Sequence, residues 1–258
     1  MTTTTSRAVA RRPRAFVRVV GPEAEDYLQR MVSNDVAGLG SGDSCEALLL
    51  TPKARVIAPM RVLRRGDDDF LLLTEPELGE TLRAELVRMR FAAKAEIELE
   101  QHRSYLLFGE DAAGIPNDDY GAPAVEVLDR DPPEGLSWLS EEDLERRRIE
   151  AGTPRYGREI DERVLPAEAG LVDRAVSLTK GCFPGQEPIA RLHYRGHANR
   201  ALRVLEVQGA EAGAEIVCEG KVVGRVTSVA PDRALAYVRS EVPEDAVLEI
   251  GGAEARLH

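Results

Sequence analysis

The spacing of hydrophobic residues changes along the chain and divides it into two parts. Up to about residue 197, strand-like alternation is interrupted by segments of helical period, as in residues 76–90. Beyond Asn199 the pattern becomes short alternating runs separated by glycines. Several short strands without a helix are typical of a small antiparallel barrel. We therefore predict an α+β fold with antiparallel sheets and helices over residues 15–197, followed by a C-terminal antiparallel β-barrel over residues 198–258.

The same patterns predict individual elements. Alternating apolar runs predict strands at residues 15–20, 46–51, 55–63, 70–73, 97–99, 105–108 and, in the barrel, 202–207, 215–218, 222–229, 234–238 and 246–250. Helices are predicted at residues 22–31, 76–90, 141–151 and 186–192. Ser140 and Asp143 have the spacing of a capping box at the start of the third helix. We expect residues 175–178 to end a strand and residues 109–123, rich in Gly, Pro, Asn and Asp, to form a loop.

Composition narrows the class of protein and its compartment. The chain of 258 residues is 43% hydrophobic and 31% charged, as in ordinary soluble globular proteins. No apolar run approaches the roughly 20 residues that span a bilayer. The three cysteines form no CxxC pair, which suits a reducing compartment and argues against a resident iron–sulfur cluster or structural zinc. Residues 1–14 predict a disordered tail or, alternatively, a transit peptide, so we predict the cytoplasm, with the mitochondrial matrix as the alternative.

Charge is distributed unevenly. The net charge of −11 argues against direct nucleic-acid binding over a broad surface. Residues 180–203 reverse this balance, since Glu187 is the only acid in this segment. It contains seven basic or imidazole side chains: Lys180, Arg191, His193, Arg195, His197, Arg200 and Arg203. In an acidic chain this segment indicates a confined anion site rather than a nucleic-acid face, and the alternative is a solvated basic surface.

The most distinctive stretch is Lys-Gly-Cys-Phe-Pro-Gly-Gln-Glu, residues 180–187. Two glycines and a proline around Cys182 predict a sharp turn that leaves the thiol open, followed by a helix. A neighbouring Lys180 ammonium and a helix N-terminus would both favour the thiolate, so Cys182 and Lys180 are our candidate catalytic residues. The alternative is a small buried structural cysteine.

This stretch, followed by Ile-Ala-Arg at 189–191 and Arg-Gly at 195–196, resembles the signature of the YgfZ family, folate-binding relatives of the glycine-cleavage T-protein. Shorter matches occur in the same order upstream, at residues 27–30, 34–35, 50–53, 55–57, 148–152, 154–159 and 166–168. The resemblance implies a T-protein-like folate-binding portion before the barrel. It also implies a tetrahydrofolate-binding accessory protein that supports assembly or repair of iron–sulfur enzymes, including those that modify tRNA, with iron–sulfur proteins or their assembly factors as partners.

The resemblance also implies folate-binding residues. Glu168 occupies a position similar to the family's pterin-contacting acid, and a carboxylate can accept the paired N–H donors of a pterin. The anionic glutamate tail suits Arg191, Arg195 or Arg200. The remaining candidates belong to the matching motifs: Asn34, Gln186 and Glu187. His193 and His197 are four residues apart, but Gly196 interrupts the helix between them, so we assign no metal.

One departure from the T-protein pattern bears on activity. That family uses an aspartate to assist aminomethyl transfer, and here Ala58 or Pro59 stands at the matching place. Neither can exchange a proton. The accessory role is therefore preferred over two enzymatic alternatives: a folate-dependent one-carbon transferase that does not need this acid, and a cysteine hydrolase that pairs Cys182 with His193 or His197.

Overall fold

The computed structural model describes residues 7–258. Its strands are β1 (Ala8–Arg11), β2 (Ala15–Val20), β3 (Ser44–Leu50), β4 (Val56–Gly66), β5 (Asp69–Thr74), β6 (Glu96–Glu100), β7 (Ser104–Phe108), β8 (Ile115–Asn117), β9 (Ala124–Leu128), β10 (Ser137–Trp138), β11 (Arg200–Glu206), β12 (Glu215–Cys218), β13 (Lys221–Val229), β14 (Arg233–Arg239), β15 (Val247–Ile250) and β16 (Ala253–Leu257). Its helices are α1 (Ala24–Met31), α2 (Gly79–Met89), α3 (Glu141–Glu150), α4 (Val172–Ala175) and α5 (Gln186–Arg195).

The first sheet is antiparallel, with the strand order β3-β4-β5-β2-β6. Helices α1 and α2 cover one face, where Tyr27, Leu82 and Leu86 are buried in the main core. The other face contributes Leu48 and Leu50 to a second core, which is closed by the segment from Tyr156 to Ile189. Because both faces are buried, β5 at the centre of this sheet is a nearly continuous apolar run.

The second sheet has the order β10-β1-β7-β9-β8, and only the β10–β1 pair is parallel. Strand β1 lies inside this sheet, and Ala8, Val9 and Ala10 are buried. The predicted disordered tail is therefore wrong for these residues, because β1 pairs with β7 and β10 and its small apolar side chains pack into cores on the two faces of the sheet. Residues 1–6 of that prediction lie outside the described part of the chain.

The C-terminal part is a closed six-stranded barrel in the order β11-β14-β13-β12-β15-β16, sealed by pairing of β16 with β11. The predicted α+β fold and C-terminal barrel are confirmed, and β16 is a strand that the pattern did not reveal. The capping box of α3 is also present: the Ser140 hydroxyl accepts from the Asp143 N–H, and the Asp143 carboxylate accepts from the Ser140 N–H.

Two local predictions are wrong. Residues 172–175 form the short helix α4 rather than leading into a strand, and its C-cap Val176 is extended but pairs with no sheet. The expected loop at 109–123 contains β8, which lines up against β9. Within residues 7–258, we find no helix whose length and apolar character would let it cross a membrane.

Candidate functional site

A cavity of about 210 Å³, called here the principal cavity, lies where the two sheets, α3 and the loop before Tyr156 meet. A more open recess beside Glu168 is larger, at about 600 Å³. The lining of the principal cavity is unusually charged, with seven arginines and five carboxylates: Arg11, Arg12, Arg14, Arg61, Arg148, Arg155, Arg174, Glu46, Glu75, Asp119, Glu141 and Glu145. Such a wall offers hydrogen-bond donors and acceptors in fixed positions, which is how a small-molecule site orients a polar ligand.

Arg12 and Arg14 connect the two sheets at the base of this cavity. They lie in the link between β1, in the second sheet, and β2, in the first. Arg12 binds Glu75, which follows β5, through two bonds of 2.6 and 3.2 Å. Arg14 binds Glu126 of β9 through two bonds of 3.0 and 2.9 Å. Each guanidinium thus makes the bidentate contact that suits a carboxylate.

A second charged group lies on β3 and β4. Arg61 and Arg174 both bind Glu46, at 3.0 and 2.7 Å, and Arg174 also contacts Asp119. The carboxylates of Glu46, Asp118 and Asp119 come within 4.8 Å of one another, as metal ligands do. Arg174 pairs with all three, so the guanidinium already supplies the positive charge that a metal would bring.

Helix α3 joins the cavity wall to the barrel. Its buried Arg148 donates to Glu159 at 2.9 Å and to the hydroxyl of Ser228, in barrel strand β13, at 3.0 Å. Ser228 in turn donates to Glu159 at 2.6 Å, and Tyr237 of β14 donates to the Glu159 carbonyl at 2.8 Å. A fully satisfied buried network of this kind rigidifies the structure around it, so the barrel holds this side of the cavity in place.

The carboxylates of the cavity are held ionised. Burial alone would raise the pKa of Glu75, but Arg12 outweighs it and the pKa lies below the ordinary value. Asp119 is shifted down in the same way, against burial, by Arg61 and Arg174. The hydrogen bond from Arg148 lowers the pKa of Glu145. General acid–base catalysis needs a pKa near the working pH, so these three groups are poorly suited to it.

Two side chains of the wall are more available to a ligand. Arg155 is 41% exposed and makes only long contacts, 3.8 Å to Glu75 and 3.9 Å to Glu145. Tyr156 lies beside it, and burial raises the pKa of its hydroxyl, so it remains a neutral donor and a flat apolar surface. Arg12 also retains a buried Nε–H without a partner among the described residues.

The loop that carries Cys182 lies on the surface and does not line the principal cavity. Cys182 is exposed, as predicted, whereas Cys45 and Cys218 are partly buried. Lys180, however, is buried, and its Nζ donates to the carbonyls of Val32 and Asn34 at 2.6 and 2.8 Å. Burial lowers its pKa to about 8. The ammonium therefore anchors the loop to the segment after α1, and no described hydrogen bond directs it to the thiol.

Gly185 sets the start of α5 directly after this loop. It has a left-handed φ of 83°, and a Cβ there would lie 2.8 Å from the Thr51 carbonyl and 3.0 Å from Ala54 Cα. Only glycine fits both the conformation and the close approach. The predicted helix at 186–192 is confirmed and extends to Arg195. On it Glu187, Arg191 and Arg195 are exposed, whereas Gln186 is half-buried.

Glu168 and Asn34 make contacts within the protein. The Glu168 carboxylate forms two bonds with Arg200, at 3.1 and 3.2 Å, and accepts from the Leu165 N–H. The Asn34 amide donates to the Glu46 carbonyl at 2.7 Å. Glu168 and Arg200 line a second, more open recess with residues of the barrel and of the link before it: His197, Asn199, Arg239, Ser240 and Glu241.

None of the nine candidate catalytic or folate-binding residues lines the principal cavity: Cys182, Lys180, Glu168, Arg191, Gln186, Glu187, Arg195, Arg200 and Asn34. The sequence analysis missed Arg12, Arg14, Glu75 and Arg155. Arg12 and Arg14 belong to a basic run that is typical of a tail, and only their pairing across two sheets reveals their place. A usable signal was the ordered match at 154–159, which contains Arg155 and Tyr156.

Comparison with known proteins agrees with this architecture. Residues 199–258 match the family model of the C-terminal β-barrel domain of CAF17. The tRNA-modifying protein YgfZ of Cronobacter sakazakii is 24% identical over 231 residues, which cover 76% of this chain and 69% of that protein. An uncharacterised protein of Haemophilus influenzae is 28% identical and covers 78% of this chain and 75% of its own length. The chain is similar in sequence to the YgfZ family over about three quarters of its length.

The family's relation to T-proteins is visible in both sequence and fold. The aminomethyltransferase of Nostoc is 30% identical over 238 residues, which cover 89% of this chain but 50% of that enzyme, so the chain spans about half its length. The glycine cleavage system aminomethyltransferase T of Bartonella henselae superimposes with a TM-score of 0.83 at 20% identity, over 99% of this chain and 86% of that one. At this identity the likeness shows the T-protein-like fold alone.

Proposed function

We propose that the protein binds tetrahydrofolate in the principal cavity and acts as an accessory protein for iron–sulfur enzymes, including those that modify tRNA. The observation that supports folate binding is the cavity itself, with paired charged groups on a rigid wall inside a T-protein-like fold. Its volume of about 210 Å³ is below the roughly 300–1,000 Å³ of sites that enclose a whole drug-sized ligand. It therefore suits the pterin ring, with the tail at the mouth.

The available groups of the wall fit such a ligand. A reduced folate carries one-carbon units when it is bound. Tyr156 provides a flat surface for a ring, and Arg155 provides a partly exposed cation for an anionic tail. Glu75 and Glu145 stay ionised and can accept N–H donors, because neighbouring arginines hold their pKa values down.

The same wall favours an accessory role over the one-carbon transferase. Of the two residues that could stand at the place of the missing T-protein aspartate, Pro59 lines the cavity and Ala58 is buried. Glu75, Asp119 and Glu145 all have lowered pKa values, so they are weak bases at neutral pH. This arrangement supports the proposal that the protein binds folate without turnover.

Calorimetric titration with tetrahydrofolate tests the binding proposal, with an expected stoichiometry near one. Arg155→Gln removes a cation from the cavity and should weaken binding by about 1.5–3 kcal/mol, the scale of a hydrogen bond to a charged group. Glu168→Gln is the matched variant outside the cavity and should leave affinity unchanged. The reverse result would place the pterin in the recess beside Arg200, and the absence of any heat would end the proposal.

The accessory role has its own test. Cells that lack the endogenous family member should regain iron–sulfur enzyme activity with the wild-type chain and lose this rescue with Arg155→Gln. Multiple turnovers of a methylene-folate with added acceptors by the purified protein would instead support the transferase.

A further inference from the structure

Helix α5 carries a basic and aromatic surface that the cavity does not use. Arg191, Tyr194 and Arg195 are three and four residues apart, so they lie on one face, and all three are exposed. The opposite face carries Ile189 into the second core. Tyr194 is 67% exposed, and its ring packs edge-to-face on His193 with centroids 4.9 Å apart. One side of the helix is thus anchored and the other is open.

The cations of this surface are unpaired within residues 7–258. Arg191, His193, Arg195 and His197 form no ion pair there, although most arginines of the chain do, as with Arg174, Arg200 and Arg203. The only acid on the helix is Glu187, one turn before Arg191, and it forms no ion pair with it. Other basic side chains in the described part of the chain, such as Arg130, also form no ion pair, but on α5 Arg191 and Arg195 lie one turn apart beside an exposed aromatic ring.

We propose that this face of α5 binds single-stranded nucleic acid, with Arg191 and Arg195 on backbone phosphates and Tyr194 stacked on a base. Arginine with an exposed aromatic ring is the combination used for such strands, because phosphates need cations and every base has a face that can stack. The acidic remainder of the surface repels the backbone and confines contact to this helix. This site is separate from the folate cavity.

The size of the patch favours a nucleic-acid strand over an acidic protein. A stable protein–protein interface buries about 800 Å² on each partner, which is far more than one face of the 10-residue helix α5 presents. A single base and two phosphates need only the three side chains described.

Fluorescence anisotropy with labelled oligouridylate tests the proposal on the full-length protein, and oligothymidylate of equal length distinguishes RNA from DNA as the source. Tyr194→Ala should weaken binding roughly ten-fold or more, the effect of losing one base–aromatic stack. The double variant Arg191→Gln, Arg195→Gln should weaken it further and flatten the dependence on salt by about 0.7 per lost phosphate contact.

Matched controls lie elsewhere on the surface. Arg130 is an exposed arginine that only donates to a backbone carbonyl, and Phe91 is a 90% exposed aromatic residue. Arg130→Gln and Phe91→Ala should leave binding unchanged, and Tyr194→Ala should keep the wild-type affinity for tetrahydrofolate, so each proposal can fail without the other. Equal weakening by the controls, equal competition by polyglutamate, or no binding at low salt would overturn the nucleic-acid site.

Discussion

The principal cavity and the outer face of α5 use arginine in opposite ways. In the cavity, the side chains of Arg12 and Arg14 are only 13% and 8% exposed, and each is fixed by two bonds to a carboxylate. On α5, Arg191 and Arg195 are exposed and form no ion pair within residues 7–258. An arginine that is shielded from water and paired with a carboxylate positions the cavity wall. A solvated arginine without an ion pair can bind a ligand directly. The position of an arginine, rather than its presence, decides its function.

The largest effect is expected from breaking a buried pair. Glu126→Gln leaves the Arg14 guanidinium, whose side chain is 8% exposed, without its countercharge. Removal of one partner of a buried pair costs about 3–5 kcal/mol. Urea unfolding at neutral pH measures this loss.

Glu254→Gln is the matched control for that variant, because the Glu254–Arg256 pair is exposed. Exposed pairs contribute about 0–1 kcal/mol, so the control should unfold close to the wild type. Similar destabilisation of both variants would contradict the distinction between buried and solvated charge.

Lowering the pH should weaken the same pair, Arg14 and Glu126. Burial opposes ionisation of Glu126, but Arg14 outweighs it and lowers the pKa from 4.5 to about 2. As the pH falls, the unfolded chain therefore binds a proton at Glu126 before the folded chain does. The free energy of unfolding that this pair contributes above about pH 4.5 is lost towards pH 2, by up to about 3 kcal/mol. Unfolding free energies at several pH values should show this slope in the wild type and a shallower one in Glu126→Gln.

A smaller effect is expected at the boundary between the two regions, where Lys180 is buried beneath the exposed loop. Lys180→Met leaves the Val32 and Asn34 carbonyls without their donor and should cost about 1.5–3 kcal/mol. Because burial lowers the pKa of Lys180 from 10.5 to about 8, the unfolded chain holds a proton between these values that the folded chain has released. The wild type should therefore gain stability over Lys180→Met as pH rises from 8 towards 10.5.

The Lys180 prediction is checked by urea unfolding at pH 7 and pH 10. If the difference in unfolding free energy between the wild type and Lys180→Met became smaller as the pH rises, the Lys180 ammonium would not be desolvated in the folded chain.

The smallest effect on stability belongs to Cys182. Iodoacetamide should modify this exposed thiol before Cys45, because burial raises the pKa of Cys45 to about 11 and leaves it little thiolate. Cys182→Ala should change the free energy of unfolding by less than about 0.5 kcal/mol, as is usual for exposed positions. Peptide mapping of the alkylated protein measures the order, and modification of Cys182 only after denaturation would place it among the buried groups.

The sequence predicted the elements whose signals are local. The capping box at Ser140 starts α3 because its two bonds join residues three apart, and the glycine-bounded alternation predicted the barrel. The sequence pattern did not reveal β1, because four residues that end in arginine are too few to show the alternation that distinguishes a strand from a tail. The cavity was missed for a related reason: Arg14 and Glu126 are distant in sequence, and only the pairing of two sheets brings them together. The Cys182 motif was found because its residues are contiguous.

The position of β1 has a consequence for the order of events during synthesis. This strand is synthesised before its partners β7 and β10. Ala8 can pair only after Phe108 and Ser137 have been made. A chain made from its N-terminus can complete the first sheet as soon as β6 appears, while the second sheet stays open until α3 is almost reached. Until β7 emerges, this small apolar strand has no partner in its sheet, and its second edge stays open until β10 follows, so apolar surface is exposed for longer here than in the first sheet.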